Sequence, residues 1–371
     1  MGGEVLFVAG ETSGDLHAAM LAAELRALRP ELTLTGVGGA RMAAAGVALF
    51  ERSDRLAVMG FLEVLRYVPR HLALLRDIRR RLTSGAVRLV ILVDYPGFNL
   101  KVALAAHAAG VPVLYYIAPQ VWAWNEARVR IMAKVIDRAA VILPFEEEYF
   151  TARGVRATFV GHPLLDRAQD LPDRASARAT LGLPDDAPVL ALFPGSRAQE
   201  VERLLDAFVA AARAAESRIP GLRVIVSVAP GMTVEPARCP YPLIAGASFP
   251  VLRAADAALC KSGTTTLEAA VAGCPLVVAY RTSGWSYAIA RRLVRIPNIA
   301  LVNIVAGRRV APELVQDAVT AEALAAQVLP LLDSASTERC EQLAGLAAVR
   351  AKLGEPGAAR RAAAMASELA G

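Results

Sequence analysis

Short apolar runs recur along the chain, and a turn and a helical pattern follow each of them. In the first half these runs are Val5–Ala9, Leu89–Val93, Val113–Ile117 and Ala139–Leu143. In the second half they are Val189–Phe193, Val224–Val228, Ala257–Leu259 and Leu276–Tyr280. Continuous rather than alternating apolarity is the pattern of strands buried on both faces, so repeated strand–helix units predict parallel sheets covered by helices. The pattern stops near Asp166 and restarts at Val189. The intervening stretch is rich in Pro, Asp and Arg and has no long apolar run. Two α/β domains are therefore expected: residues 1–170, a linker at 171–186, and residues 187–343. The alanine-rich helices of 344–371 are expected to pack back on the first domain.

The segment from Phe61 to Leu82 has a different period. Phe61, Val64, Leu65, Val68, Leu72, Leu75 and Leu82 recur at helical spacing, while Arg66, Arg70, Arg79, Arg80 and Arg81 supply most of the polar side. Pro69 predicts a kink or a break into two helices. Two readings stay open: an ordinary surface helix with its stripe in the core, or a basic amphipathic helix lying on an anionic membrane.

Composition narrows the class. A chain of 371 residues exceeds one ordinary core. Its hydrophobic share is 55%, but much of that is helical alanine. No charge-free apolar run reaches the roughly 18 residues of a spanning helix. The first residues lead straight into a strand pattern, so no signal peptide is expected. Cys239, Cys260, Cys274 and Cys340 lack metal-site spacing and read as reduced thiols. The net charge of +6 permits nucleic acid, anionic lipid or a phosphorylated small substrate. With no zinc-finger, RNP-like or lysine-tail signal, nucleic acid is not expected.

Candidate chemistry gathers where strands end. Pro194-Gly195-Ser196-Arg197 follows Val189–Phe193. Gly195 allows a close backbone approach. Ser196 is expected to cap the next helix, with Gln199 completing a capping box. Free amides at that helix start attract phosphate, and Arg197 adds a charge-assisted clamp. Lys261-Ser262-Gly263-Thr264-Thr265-Thr266-Leu267-Glu268 follows another strand. There Glu268 either closes a capping box with Thr265 or accepts the hydroxyls of a ribose. Neither turn is a GxxxxGK[ST] loop, and the first strand–turn lacks GxGxxG. Asp94, in Asp94-Tyr95-Pro96-Gly97-Phe98-Asn99, ends a buried strand. It is placed either as a general base or as an Asx-turn or helix cap. Glu11, Ser13, Asp15 and His17 occupy the first turn and its helix. Trp122 and Trp124 lie in Pro119–Trp124, a second aromatic patch spans Gly284–Tyr287, and Asn303, Glu313 and Gln316 stand among apolar neighbours.

These ordered motifs, with Asn303-Ile304-Val305-Ala306-Gly307-Arg308 and Pro312–Gln316, make the chain resemble the lipid A disaccharide synthase family of bacterial glycosyltransferases over essentially its whole length. The resemblance implies a GT-B fold, two Rossmann-like domains with parallel sheets facing a central cleft. It implies inverting, metal-independent transfer from UDP-2,3-diacylglucosamine to the 6-hydroxyl of 2,3-diacylglucosamine 1-phosphate (lipid X), releasing UDP. No metal or organic cofactor is expected. The implied location is cytoplasmic, at the inner-membrane surface, and homodimers have precedent in the family. Residue by residue, it implies Asp94 and Arg197 as catalytic and Glu11, Ser13, Asp15 and His17 on the acceptor side. Gly195, Ser196, Arg197, Ser262, Gly263, Thr264, Glu268, Asn303, Glu313 and Gln316 fall at the UDP-sugar, and Arg66, Arg70, Arg79, Arg80 and Arg81 at the membrane. Arg309 stands where relatives often carry glutamate, and Ala118 where serine is common. The alternative reading is another GT-B UDP-GlcNAc transferase or a UDP-GlcNAc 2-epimerase.

Overall fold

The structure is a computed structural model that describes residues 3–53, 63–124, 126–285, 287 and 297–371. Phe61, Ser286 and the side chains of Val64, Leu65, Arg66, Val68 and Trp124, all singled out in the sequence, lie outside the described residues. The chain divides into two compact units, 1–166 with 354–371, and 167–353.

The first unit contains β1 (Glu4–Ala9), β2 (Thr33–Gly38), β3 (Ala48–Arg52), β4 (Val87–Val93), β5 (Val113–Tyr116), β6 (Arg138–Val141) and β7 (Ala157–Phe159). They form one sheet in the order β3-β2-β1-β4-β5-β6-β7, and every pairing is parallel. Val5, Leu6 and Phe7 of β1 and Leu89 through Val93 of β4 are fully buried, which is why their sequence shows no polar alternation. The helix Ala358–Ala370 closes one face of this sheet. Its Ala362, Ala363, Met365 and Ala366 join Phe7, Leu21 and Leu25 in one core cluster. Arg361 Nε donates to the Val160 carbonyl (2.8 Å), and the Gly357 amide donates to Asp166. The neighbouring helix Thr337–Lys352 belongs to the second unit, so only the last helix returns to the first.

The second unit contains β8 (Val189–Phe193), β9 (Arg223–Val228), β10 (Leu243–Ala245), β11 (Ala257–Lys261), β12 (Leu276–Tyr280) and β13 (Glu313–Val315). These also pair parallel throughout, in the order β10-β9-β8-β11-β12-β13. In both sheets the winding direction reverses once: between β1 and β4, and between β8 and β11. Ligand crevices of open α/β sheets form at the carboxyl ends of such strand pairs.

Glu63–Thr83 is one helix that continues through Pro69, so of the kink or break expected there, the break into two helices does not occur. Pro69 lies within its first two turns, so a single backbone hydrogen bond, toward Leu65, is forfeited. The buried stripe is Leu74, Leu75, Ile78 and Leu82, whereas Leu72, assigned to the stripe from its spacing, is 53% exposed.

Candidate active site

The first unit's crevice is built by the ends of β1 and β4. Asp94 and Tyr95 follow β4, and both hold left-handed backbone angles, φ 50° and 49°. Consecutive non-glycine residues in that region are strained, at about 1–3 kcal/mol each. The surroundings enforce the turn. The Asp94 carbonyl accepts from Asn99 Nδ2 and from the Tyr115 hydroxyl, both at 2.7 Å. Asn99 is fully buried and also donates to the Val93 carbonyl at 3.2 Å. Gly10, at the end of β1, lets the Tyr95 ring approach: a Cβ there would stand 2.3 Å from it. The Tyr95 hydroxyl in turn lies 2.6 Å from His71 Nε2, and the His71 ring packs edge-on against Phe98.

This turn pushes the Asp94 carboxyl toward its neutral form. Burial is the main cause and the charge of Glu11 adds to it, while the Tyr95 amide opposes them. The result is a pKa raised from 3.8 to about 6. Glu11 precedes the helix Thr12–Leu28 without capping it through its side chain, and Ser13 is exposed. Asp15 has a different task. Its buried carboxylate accepts the Gly39, Arg41 and Met42 amides at 2.7–3.1 Å, capping the helix Ala40–Ala44. The acceptor-side expectation therefore splits: Glu11 neighbours Asp94, and Asp15 is consumed in holding the following loop. His17 is half-buried on the first helix.

The second unit's crevice is built by the ends of β8 and β11. Gly195 has φ 136°. The helix Ala198–Glu216 starts one residue later than expected, with Arg197 rather than Ser196 at the N-cap and Glu200 rather than Gln199 as the partner. The Glu200 carboxylate accepts the Ser196 amide (3.0 Å) and the Arg197 amide (3.3 Å) and pairs with Lys261 at 2.8 Å. The Arg197 guanidinium is 53% exposed. Across the crevice, Ser262 Oγ donates to the Ile299 carbonyl, and Thr264 is exposed. Glu268 does not close a capping box; it pairs with Arg167 at 3.1 Å and is 9% exposed at its side chain.

Asn303, Glu313 and Gln316 meet one another's surroundings rather than open space. Glu313 accepts the Ala300 amide (3.0 Å) and Asn303 Nδ2 (2.8 Å). Asn303 Oδ1 accepts the Val310 and Ala311 amides at 2.7 and 2.9 Å. Gln316, itself at φ 55°, bonds the Thr282 amide and carbonyl. These residues brace β13 and the loop before the helix Leu301–Ala306. Arg309 is exposed.

Three of the arginines assigned to the membrane have protein partners; Arg80 pairs with Asp77 at 2.9 Å on the exposed side of the helix. Arg70 pairs with Glu51 at 2.9 Å, and Arg81 lies over the Phe50 ring and 3.7 Å from Glu4. Arg76, Arg79 and Arg80 are exposed and share the helix face of Leu72. Sequence reasoning gave no role to Asn99, Lys261, Glu200 or Arg167. The contacts of Lys261 with Glu200 and of Arg167 with Glu268 join distant parts of the chain, and the capping-box spacing pointed to Gln199, one residue before Glu200. Among the described residues, no group of three or more His, Cys, Asp or Glu is placed to hold a metal.

The family described as lipid-A-disaccharide synthetase matches residues 5–368. The lipid-A-disaccharide synthase of Myxococcus xanthus is 44% identical, over 98% of this chain and 97% of that one. That of Geobacter metallireducens is 42% identical over 99% and 97%. Among solved structures, the calicheamicin glycosyltransferase CalG4 superposes with a TM-score of 0.63 at 19% identity, over 100% and 98% of the two chains. The UDP-GlcNAc 2-epimerase of Neisseria meningitidis, bound to UDP-GlcNAc, gives 0.63 at 12%, over 98% and 100%. At these identities the structural likenesses establish the GT-B fold alone.

A carboxyl whose pKa is raised on folding destabilises the native state once it ionises. The penalty is absent below pH 4, grows as the pH rises toward 6 and is complete above it; two pKa units correspond to about 3 kcal/mol. Asp94→Asn is therefore expected to be more stable than the parent by about 2–3 kcal/mol at pH 7.5. Urea unfolding across pH should show that gain vanishing below about pH 4. A difference that does not vary with pH would contradict the assigned ionisation.

Proposed function

The chain belongs to the lipid-A-disaccharide synthase family, and from that premise we propose that its first unit supplies the base and its second the donor site of an inverting sugar transfer. It is a glycosyltransferase that uses a UDP-sugar donor. The reaction moves 2,3-diacylglucosamine from UDP-2,3-diacylglucosamine to the 6-hydroxyl of 2,3-diacylglucosamine 1-phosphate and releases UDP.

The observation that carries the proposal is Asp94. A carboxylate with a pKa near 6 is ionised at neutral pH yet more basic than an exposed aspartate, which suits it to take a proton from a hydroxyl. As the acceptor oxygen bonds to the donor's anomeric carbon, the bond from that carbon to the diphosphate oxygen breaks. The hydroxyl proton passes to Asp94, and negative charge grows on UDP. The amides of Ser196 and Arg197, the N-terminus of the helix Ala198–Glu216 and the Arg197 guanidinium suit that charge. Glu268, fixed by Arg167, is offered as the ribose contact. The acyl chains of both substrates place the reaction at a membrane surface. No helix among the described residues is long and apolar enough to cross one. The exposed face of Leu72, Arg76, Arg79 and Arg80 is proposed to dock there.

Incubation with both diacylglucosamine substrates should yield UDP and one β-1,6-linked disaccharide 1-phosphate, identified by mass and linkage. Asp94→Asn should lower kcat by about 10²–10⁴-fold with donor affinity unchanged, and the parent's kcat/KM should fall on the acid side of about pH 6. Full activity of the variant would remove Asp94 from the role of base.

Replacing Arg76, Arg79 and Arg80 together by glutamine should weaken co-sedimentation with anionic vesicles by about 1 kcal/mol per charge. Unchanged sedimentation would place the membrane contact elsewhere.

A further inference from the structure

The Glu200 carboxylate folds back over the helix start just after β8. It accepts two successive backbone amides, from Ser196 and Arg197, and meets an ammonium from a different strand at 2.8 Å. The Arg197 guanidinium stands 3.8 Å away. An ordinary capping box needs only the N-cap amide. Here the carboxylate reaches one residue further back and gains Lys261, which gives it two amides and two cations. That is the donor set of a phosphate nest.

Gly195 makes the arrangement possible. Its φ of 136° and missing side chain let Glu200 fold over the turn, since a Cβ there would lie 2.5 Å from the Glu200 Cβ. Lys261 ends β11, the strand beside β8 at the reversal of the sheet, and its Nζ stands beside Gly263 of the second glycine turn. The ammonium thus faces both turns of the crevice. Burial opposes ionisation of Glu200. The Lys261 hydrogen bond and charge, the Ser196 amide and Arg197 nonetheless hold its carboxyl below the ordinary range, so it is an anion at any working pH. The side chains of Glu200 and Lys261 are 14% and 22% exposed, so neither is sealed in the core.

We propose that Lys261 is a diphosphate-binding residue and that Glu200 is an internal stand-in anion, which fills the Ser196–Arg197–Lys261 nest and swings out when the nucleotide diphosphate enters. This rests on the assignment of the β8–β11 crevice as the donor site. Binding then exchanges one anion for another, so the nest is never left with uncompensated positive charge. It also subtracts the free energy of displacing Glu200 from the affinity for any charged occupant. An uncharged nucleoside, which leaves the nest alone, escapes that subtraction.

Titration calorimetry with UDP and with uridine separates these effects. Glu200→Gln keeps an oxygen for the helix cap and removes the competing charge. It should bind UDP about fivefold tighter with uridine affinity unchanged. Lys261→Met should bind UDP about tenfold weaker, again with uridine unchanged. Lys261→Met leaves both the Glu200 carboxylate and the amides it caps in place, so it tests the binding role even if Glu200→Gln unfolds. UDP binding by Glu200→Gln no tighter than the parent's would overturn the stand-in role. Unaltered UDP binding by Lys261→Met would overturn the lysine's role. If Arg197→Ala also leaves UDP binding unaltered, the donor-site assignment itself fails, which distinguishes that failure from failure of the exchange.

Discussion

The strained turn at the end of β4 is the constraint on which the rest depends. Asp94 and Tyr95 both sit in the left-handed region, and neither has the freedom of glycine. Asn99 and Tyr115 grip the Asp94 carbonyl from two different elements, and Gly10 clears room for the Tyr95 ring. The carboxyl is thereby held at the edge of the sheet, largely buried and near another carboxylate, where neither desolvation nor charge favours its ionised form. Strain and an unfavourable charge are tolerated here because seven parallel strands and their helices over-determine the position.

The two units use one topological device for opposite electrostatic ends. Each sheet reverses its winding once and opens a crevice at the carboxyl ends of the two strands concerned. In the first, burial and the nearby charge of Glu11 raise the proton affinity of Asp94. In the second, helix-start amides, Arg197 and Lys261 create a pocket for negative charge, occupied by the chain's own Glu200. Around that second crevice the Asn303–Glu313–Gln316 set does its bonding internally, so it fixes the loops that frame the site.

The sequence made the central strands plain. Val5–Ala9, Leu89–Val93 and Val189–Phe193 are apolar without alternation because both faces are buried, and that property is local. The sheet edges were not legible. Thr33–Gly38 carries glycines and threonines, and Leu243–Ala245 and Glu313–Val315 span only three residues each, too short to mark a strand by pattern. Asp94 stood out because it directly follows a buried strand, and Arg197 because it ends the short glycine turn between a buried strand and the next helix. Asp15 looked like their equal from its place in the first turn. Its engagement with the Gly39, Arg41 and Met42 amides depends on how a distant loop folds back. Lys261, Glu200 and Arg167 carried no assigned role for the same reason, since each derives its meaning from a partner on another element. Leu72 kept perfect helical spacing and still faces solvent, because periodicity defines a stripe but not its width.

The most direct test of the central claim is the ionisation of Asp94 itself, followed by carboxyl ¹³C NMR on aspartate-labelled protein. The account predicts a midpoint near pH 6, and a lower one when Glu11 is replaced by glutamine. A midpoint at the ordinary aspartate value of 3.8, indifferent to Glu11, would contradict it.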